Sequence, residues 1–311
     1  MKKIDYSIVI PVYNEQESLP ELVEIIEKTL QDGRGMFEYV FVDDGSTDRS
    51  FEVLLRIKKK LKRPCTVVRF RKNLGKSAAL AVGFKRAKGE KIITMDADLQ
   101  DDPREISKLV KKLDDGYDMV VGWRVNRNDK KSKIRMSYLF NFIVSWVGGL
   151  SLHDANCGLK AFRRSVAEEI HLYGELHRFM PLLALKKGFR VTEVPVAHHR
   201  RKYGMSKFGS SRIVHAAFDL VTAIFITSFK NKPLQIFGKL GLTCIILGIL
   251  PLIYLSYLHF LGQSIGRRPL LLLGILFVLS GVQLFSTGLL GELIIHIHTE
   301  KEQYPIEEID N

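Results

Sequence analysis

The sequence predicts an α/β domain on a mainly parallel sheet, followed by an α-helical hairpin that crosses a membrane. Three observations carry this. Over residues 1–120, short β-branched runs alternate with segments of helical periodicity. Beyond residue 233 come two uncharged runs, Leu240–Leu261 and Leu270–Gly291, each of 22 residues. Finally, mean hydropathy is +0.02 although 26% of the 311 residues are charged, so apolar residues are concentrated in one part of the chain.

Tyr6–Val12 (YSIVIPV) reads as a first strand ended by Pro11 and Asn14, and Leu19–Leu30 follows with apolar residues at helical spacing. Phe37–Val42 is a second strand, stopped by Asp43-Asp44-Gly45-Ser46; Thr47 or Asp48 is placed to cap the helix that runs to Lys60. Thr66–Phe70 reads as a third strand, Ser77–Ala87 as a helix, and Lys91–Met95 as a fourth strand ending at Asp96. Ligands of such sheets bind beyond the carboxyl ends of the strands. The polar clusters Asn14-Glu15, Asp43-Asp44, Asn73–Lys76 and Asp96–Gln100 all lie there.

As helices, the two uncharged runs each reach ~33 Å, enough to cross a hydrocarbon core. The expected organisation is a domain over 1–210, an interfacial helix or linker over 211–232, two transmembrane helices within 233–293 (about 240–261 and 270–291), and a tail over 294–311. The short linker Gly262–Pro269 makes the helices a hairpin, with both termini on one side. Ser7–Val12 is too short for a signal peptide and lacks a cleavage site, so that side is expected to be cytoplasmic. Lys230, Lys232 and Lys239 agree with this, while Arg267 and Arg268 in the opposite loop do not. Tyr138–Leu150 and Ile213–Phe229 read equally as interfacial helices or as ordinary core. Gly241, Gly248, Gly274 and Gly281 permit close helix packing, which leaves a homo-oligomer open. Three scattered cysteines (Cys65, Cys157, Cys244) fit a reducing compartment and no metal cluster.

In Asp96-Ala97-Asp98-Leu99-Gln100, an extended chain would turn Asp96, Asp98 and Gln100 the same way. Two carboxylates and an amide oxygen are hard donors suited to Mg²⁺ or Mn²⁺; the bland alternative is an acidic loop in which Asp101 or Asp102 caps the helix after Pro103. Asp43 and Asp44 are placed to accept from ribose hydroxyls or a base N–H, or to serve as turn and cap. The Asn73–Lys76 turn brings backbone N–H groups and the Lys76 ammonium towards phosphate.

Taken in order, Ser7–Glu15 (SIVIPVYNE), Val42–Asp48 (VDDGSTD), Asn73–Lys76 (NLGK) and Asp96–Pro103 (DADLQDDP) resemble the GT-A glycosyltransferases of family 2. With the C-terminal hairpin, the chain looks most like the polyisoprenyl-phosphate glycosyltransferases. The resemblance implies a GT-A fold, a UDP- or GDP-linked sugar donor, a polyisoprenyl phosphate acceptor, a divalent metal and inversion at the anomeric carbon. It places Pro11, Tyr13, Glu15 and Asp43 around the nucleoside, Lys76 by the diphosphate, and Asp96, Asp98 and Gln100 at the metal. It gives Arg124, Lys133, Arg135 and Ser137 to the lipid phosphate, within a stretch (121–140) holding six Lys+Arg and one acid. Asp154 falls in the acceptor-side loop, and Arg201 and Lys207 in a mobile basic loop over the donor (His198–Lys207). Asp98, Asp154, Arg124 and Arg135 are therefore the expected catalytic set.

The Q-x-x-R-W motif of polymer-building relatives is not in the sequence, and two spans are few for a polymer channel, so polymer synthesis is rejected. A formal charge of +13 raises nucleic-acid binding, but no motif supports it. Two other readings stay open: a GT-A enzyme acting on a different membrane lipid, and a non-catalytic nucleotide-sugar sensor. The ten Lys+Arg from Arg56 to Lys76, with no acid among them, read as a solvated or lipid-facing surface, Lys76 excepted.

Overall fold

The computed structural model describes residues 4–30, 35–125, 152–203, 233–266 and 268–299. The chain divides into two compact units, Met1–Ala223 and Ile224–Asn311.

The first unit opens with strand β1 (Tyr6–Val12), helix α1 (Leu19–Leu30), β2 (Phe37–Asp43), α2 (Ser50–Lys60), β3 (Cys65–Arg69), α3 (Lys76–Arg86) and β4 (Lys91–Thr94). A 3₁₀ turn (Pro103–Glu105) leads into α4 (Ile106–Asp114) and β5 (Met119–Arg124). Then come β6 (Lys160–Arg163), α5 (Arg164–Glu169), α6 (Met180–Lys186) and β7 (Val191–Val196). Among the described residues these strands form one sheet in the order β3-β2-β1-β4-β6-β5-β7. All pairings are parallel except those of β6, which runs antiparallel to both β4 and β5.

Periodicity explains the packing. α1 buries Leu19, Leu22, Val23, Ile26 and Leu30, one face of a 3.6-residue repeat. β2 is buried at all seven positions, as a central strand covered on both faces should be. α2 buries little besides Leu54, and its last turn carries Lys58, Lys59 and Lys60, which favour the negative end of the helix dipole. The basic run seen in sequence thus covers α2 and the edge strand β3. The cap of α2 differs from expectation. Arg49 holds the N-cap position, and Asp48 instead accepts from Ser50 N–H (2.9 Å) and Gln16 N–H (3.3 Å), satisfying two loops at once.

β1 lies between β2 and β4, so the chain turns one way from β1 to β2 and the other way to β4. This switch point opens a crevice at the carboxyl ends of β1 and β4. The opposite end of these strands is closed by a buried polar knot. Ser7 and Glu38 face each other in register on β1 and β2. Ser7 Oγ donates to Glu38 Oε1 (2.6 Å), which also accepts from Lys88 N–H (2.5 Å), while Gly89 N–H donates to Ser7 Oγ (2.7 Å).

In the second unit, α7 (Pro233–Phe260) and α8 (Pro269–Thr299) pair as a hairpin. Both are long and apolar enough to span a membrane, and they begin well before the uncharged stretches or end beyond them. The four glycines are occupied within the chain itself: a Cβ on Gly241 would stand 2.7 Å from the Gly281 carbonyl oxygen, and one on Gly248 2.6 Å from that of Gly274. Leu234 N–H, near the start of α7, donates to Glu292 Oε2 (3.4 Å) on α8.

Replacing Glu38 with Ala should lower the unfolding free energy by about 2–4 kcal/mol, since it leaves the Ser7 hydroxyl buried without its acceptor and the Lys88 amide with only its longer bond to Ser7 Oγ (3.1 Å). Glu38→Gln, which keeps an acceptor, should cost visibly less in the same denaturant titration.

Candidate active site

The rim of the crevice is built by loops that hold one another. Asn14 takes φ +55 just past β1; its side-chain oxygen accepts from Thr47 N–H (2.8 Å), and its own N–H donates to Ser46 Oγ (3.0 Å). Glu15 N–H donates to Ser50 Oγ (2.8 Å). The Ser-Thr-Asp part of the second motif therefore fixes the loop of the first. Asp43 is fully buried, accepting from Ser46 N–H (3.0 Å) with Arg69 3.4 Å from its other oxygen. Asp44 accepts from Leu74 N–H (2.7 Å) and Gly75 N–H (3.0 Å), tying β2 to the Asn73–Lys76 turn. Both carboxylates brace turns in this arrangement.

The Asp96–Gln100 segment is not extended. Residues 97 and 98 form a turn and Leu99 takes φ +61, a left-handed conformation that is unusual for a bulky side chain and clusters at functional sites. The convergence expected from strand alternation therefore arises from a turn. Asp98 accepts from Gln100 N–H (3.1 Å), and the Gln100 amide donates to the His199 carbonyl (3.4 Å). Asp96 pairs with Lys76. Asp102 caps the following 3₁₀ turn through Arg104 N–H (2.9 Å). Asp101 instead points inward, and its Oδ2 has no hydrogen-bond donor among the described residues.

Gly158 makes this crowding possible: a Cβ there would stand 2.6 Å from Asp101 Oδ2 and 2.9 Å from Asp96 Oδ2. Burial, and then the charge of Asp96, push the Asp98 carboxyl above its ordinary range and that of Asp101 up to about 7. Burial works against the charged form of Asp96 as well, but Lys76 outweighs it and holds that carboxyl low, while Asp96 in turn holds the ammonium. Hard oxygens crowded together, short of positive charge and including an orphaned acceptor, are a donor set that fits a divalent cation. Among the described residues no group of three His, Cys, Asp or Glu is arranged to hold a metal, so Asp96 and Asp98 would be completed by Gln100 and by water or phosphate oxygens.

On the other side of the crevice, Arg124 at the end of β5 grips Asp154 with two bonds, Nε to Oδ2 (2.6 Å) and an Nη to Oδ1 (3.0 Å). Burial alone would weaken the guanidinium's hold on its proton; the Asp154 bonds more than reverse that. Glu193 of β7 accepts from the amides of His153 (2.9 Å) and Asp154 (3.4 Å), and the His153 ring stacks on Trp123 at 4.1 Å. Over the top lies the 198–203 segment. His199 N–H donates to the Gln100 carbonyl (2.8 Å), Arg201 pairs with Glu15, and Lys202 reaches Glu21 (2.8 Å).

The structure thus gathers Pro11, Glu15, Lys76, Asp96, Asp98, Gln100 and Arg201 around one end of the sheet, with Tyr13 on the β1 loop and Arg124 at the end of β5 paired to Asp154 of the loop before β6. Arg135, Lys133, Ser137 and Lys207 lie outside the described residues, as do Tyr138–Leu150 and Ile213–Phe229. Sequence reasoning gave Asp101 only a capping role and assigned none to Glu193, His177 or Lys160. Asp101 lies inside the acidic motif, and Lys160 stands as a lone cation between apolar neighbours (Gly158-Leu159-Lys160-Ala161-Phe162).

Residues 7–171 match Glycosyl transferase family 2. The chain belongs to that family. A dodecaprenyl-phosphate galacturonate synthase of Rhizobium johnstonii is 36% identical over 313 residues, covering 98% of this chain and 92% of its own. An undecaprenyl-phosphate 4-deoxy-4-formamido-L-arabinose transferase of Pseudomonas aeruginosa is 37% identical over 301 residues, covering 96% and 87%. Among solved structures, a glucosyl-3-phosphoglycerate synthase of Mycobacterium tuberculosis, in complex with Mn²⁺, UDP-glucose and phosphoglyceric acid, superposes with TM-score 0.55 at 15% identity over 72% of this chain and 79% of that one. A mannosyl-3-phosphoglycerate synthase of Rubrobacter xylanophilus gives 0.57 at 13% identity, over 71% and 73%. These likenesses establish the GT-A fold of this family 2 chain.

The raised Asp101 carboxyl gives a test of the acidic turn. Between about pH 4 and 7 the folded chain holds a proton that the unfolded chain has lost, so this contribution to stability is complete below about 4 and is lost as pH rises to about 7. In chelator, Asp101→Asn should flatten the decline of Tm across that window and be the more stable form at pH 8.

Proposed function

We propose that this chain transfers a sugar from a UDP- or GDP-linked donor to a membrane polyprenyl phosphate, with inversion and with a divalent metal, Mg²⁺ or Mn²⁺. The observation that carries this reading is the length of the match. Relatives named as polyprenyl-phosphate sugar transferases align over 96–98% of the chain, through both apolar helices as well as the catalytic domain. In this reading the catalytic domain and both termini face the cytoplasm.

The acceptor's chemistry sets what the residues must do. A phosphate monoester has a second pKa near ~6 and is largely a dianion at neutral pH, so it attacks the anomeric carbon without first losing a proton. An obligatory base is not needed, and the doubly bonded Arg124–Asp154 pair is in keeping with that: both Asp154 oxygens are committed to orienting a guanidinium. The harder task is to bring two anions together. Arg124, with Lys133, Arg135 and Ser137, screens the incoming phosphate; Lys76, Arg201 and Lys207 face the donor diphosphate. When bound at Asp96, Asp98 and Gln100, a divalent cation supplies positive charge against the departing diphosphate. Pro11, Tyr13 and Glu15 border the nucleoside, and Asp43, buried behind them, holds the turn that shapes its pocket.

Reconstituted in bilayers with a panel of nucleotide sugars, the chain should release nucleotide only when polyprenyl phosphate is present; release that instead requires a diacylglycerol or another hydroxyl acceptor would overturn the reading. In that assay Asp98→Ala should reduce metal-dependent turnover by about a thousandfold or more, the scale of losing a preorganised charge contact. Arg135→Ala should raise the KM for lipid phosphate about tenfold to a hundredfold and leave the donor KM nearly unchanged.

A further inference from the structure

Behind the acidic turn lies a small enclosed cavity, lined among others by Lys76, Asp96, Asn156, Lys160 and His177, with room for little more than one water-sized group. Two of its residues have donors that the other described residues leave unused. Lys160, on β6, is only 5% exposed. Its ammonium donates to the Cys157 carbonyl, and among the described residues it has no other hydrogen bond and no carboxylate within ion-pairing reach. Lys76, by contrast, is paired with Asp96. A buried ammonium with one of three donors engaged is costly unless something else arrives to meet it. That cost shows in its protonation, which burial pulls down to about 8.

His177 supplies the second donor. Its backbone N–H donates to Ser77 Oγ (3.1 Å), and the same oxygen lies 2.9 Å from its Nδ1. Since Ser77 Oγ already accepts the amide proton, its own hydroxyl proton is best directed at Nδ1, which leaves the ring proton on Nε2. Burial keeps the ring neutral, well below its ordinary pKa. Nε2 has no partner among the described residues.

We propose that Lys160 Nζ and His177 Nε2 form a subsite for one anionic oxygen of the nucleotide-sugar donor. The inference rests on the nucleotide-sugar reading given above and goes beyond it by assigning a place for donor recognition. Two donor groups carry such an oxygen, a carboxylate on the sugar ring and the diphosphate. The cavity's size admits the tip of either and not a sugar ring.

The test uses the full-length chain in bilayers and the nucleotide that the wild-type chain releases in the transfer assay. Affinities are measured for the free nucleoside diphosphate, its hexose and its hexuronate. In Lys160→Met, loss of a charged donor should weaken binding about tenfold to a hundredfold. Weakening confined to the hexuronate identifies the sugar carboxylate; equal weakening of all three ligands identifies the diphosphate. His177→Phe should follow the same pattern more mildly, and His177→Gln should recover part of the loss. Because the ammonium is under-compensated, Lys160→Met should also raise the Tm of the ligand-free chain. Unchanged affinities would overturn the proposal, leaving the cavity to a water molecule. A lower Tm with weaker binding of every ligand would overturn it too, as the mark of a structural lysine. Should the wild-type chain release nucleotide from no donor, the transferase reading fails first and this subsite with it.

Discussion

Negative charge packed into the single turn from Asp96 to Asp102 sets where the basic side chains around the site lie. Asp96 holds Lys76; His198 and His199 approach Asp101 and Asp102; Arg201 faces Asp98 from the segment that crosses above. None of these partners is close in sequence. The turn is therefore a point at which α3, the Asp154–Gly158 loop and the 198–203 segment are drawn together by charge, and Gly158 is the residue small enough to let them meet. Even so the compensation is incomplete, as the raised Asp98 and Asp101 carboxyls record. A site left short of positive charge is one prepared for a cation or for the cationic loops that accompany a diphosphate.

The two sides of the crevice solve opposite problems with similar parts. Around Asp96 the excess is negative, and lysine and arginine side chains reach in from distant segments. At the end of β5 the guanidinium of Arg124 is held by both oxygens of Asp154, which fixes its orientation. Glu193 steadies the same loop through the His153 and Asp154 amides, which makes β7 a support for the Arg124–Asp154 pair although it carries no motif.

Much of the first half of the domain was legible in sequence because its signals are local. β1 and α1 begin and end where the β-branched run and the apolar periodicity place them, and the elements from β2 to β4 differ from their expected limits by only a residue or so at an end. The acidic motif was found for an incomplete reason: its side chains come together through a turn with Leu99 left-handed, which alternation along a strand does not describe. The second half was less legible. β6 enters between β4 and β5 and runs against both, a pairing fixed by contacts about 40 to 70 residues apart. Lys160 and His177 acquire their meaning only when that strand and the turn before α6 are laid against α3. Gly241, Gly248, Gly274 and Gly281 were recognised as close-packing positions, but their partners turned out to be one another.

Those glycines have a mechanical consequence. The contacts Gly241–Gly281 and Gly248–Gly274 fall seven residues apart on each helix of the hairpin. Sliding one helix past the other by a single turn would set side chains against backbone at both places together. The hairpin thus has one register in which it can close, with the Leu234–Glu292 bond fastening its open end. Such a pair behaves as a stiff post and not as a sliding piston, so motion during a catalytic cycle has to be accommodated elsewhere in the chain.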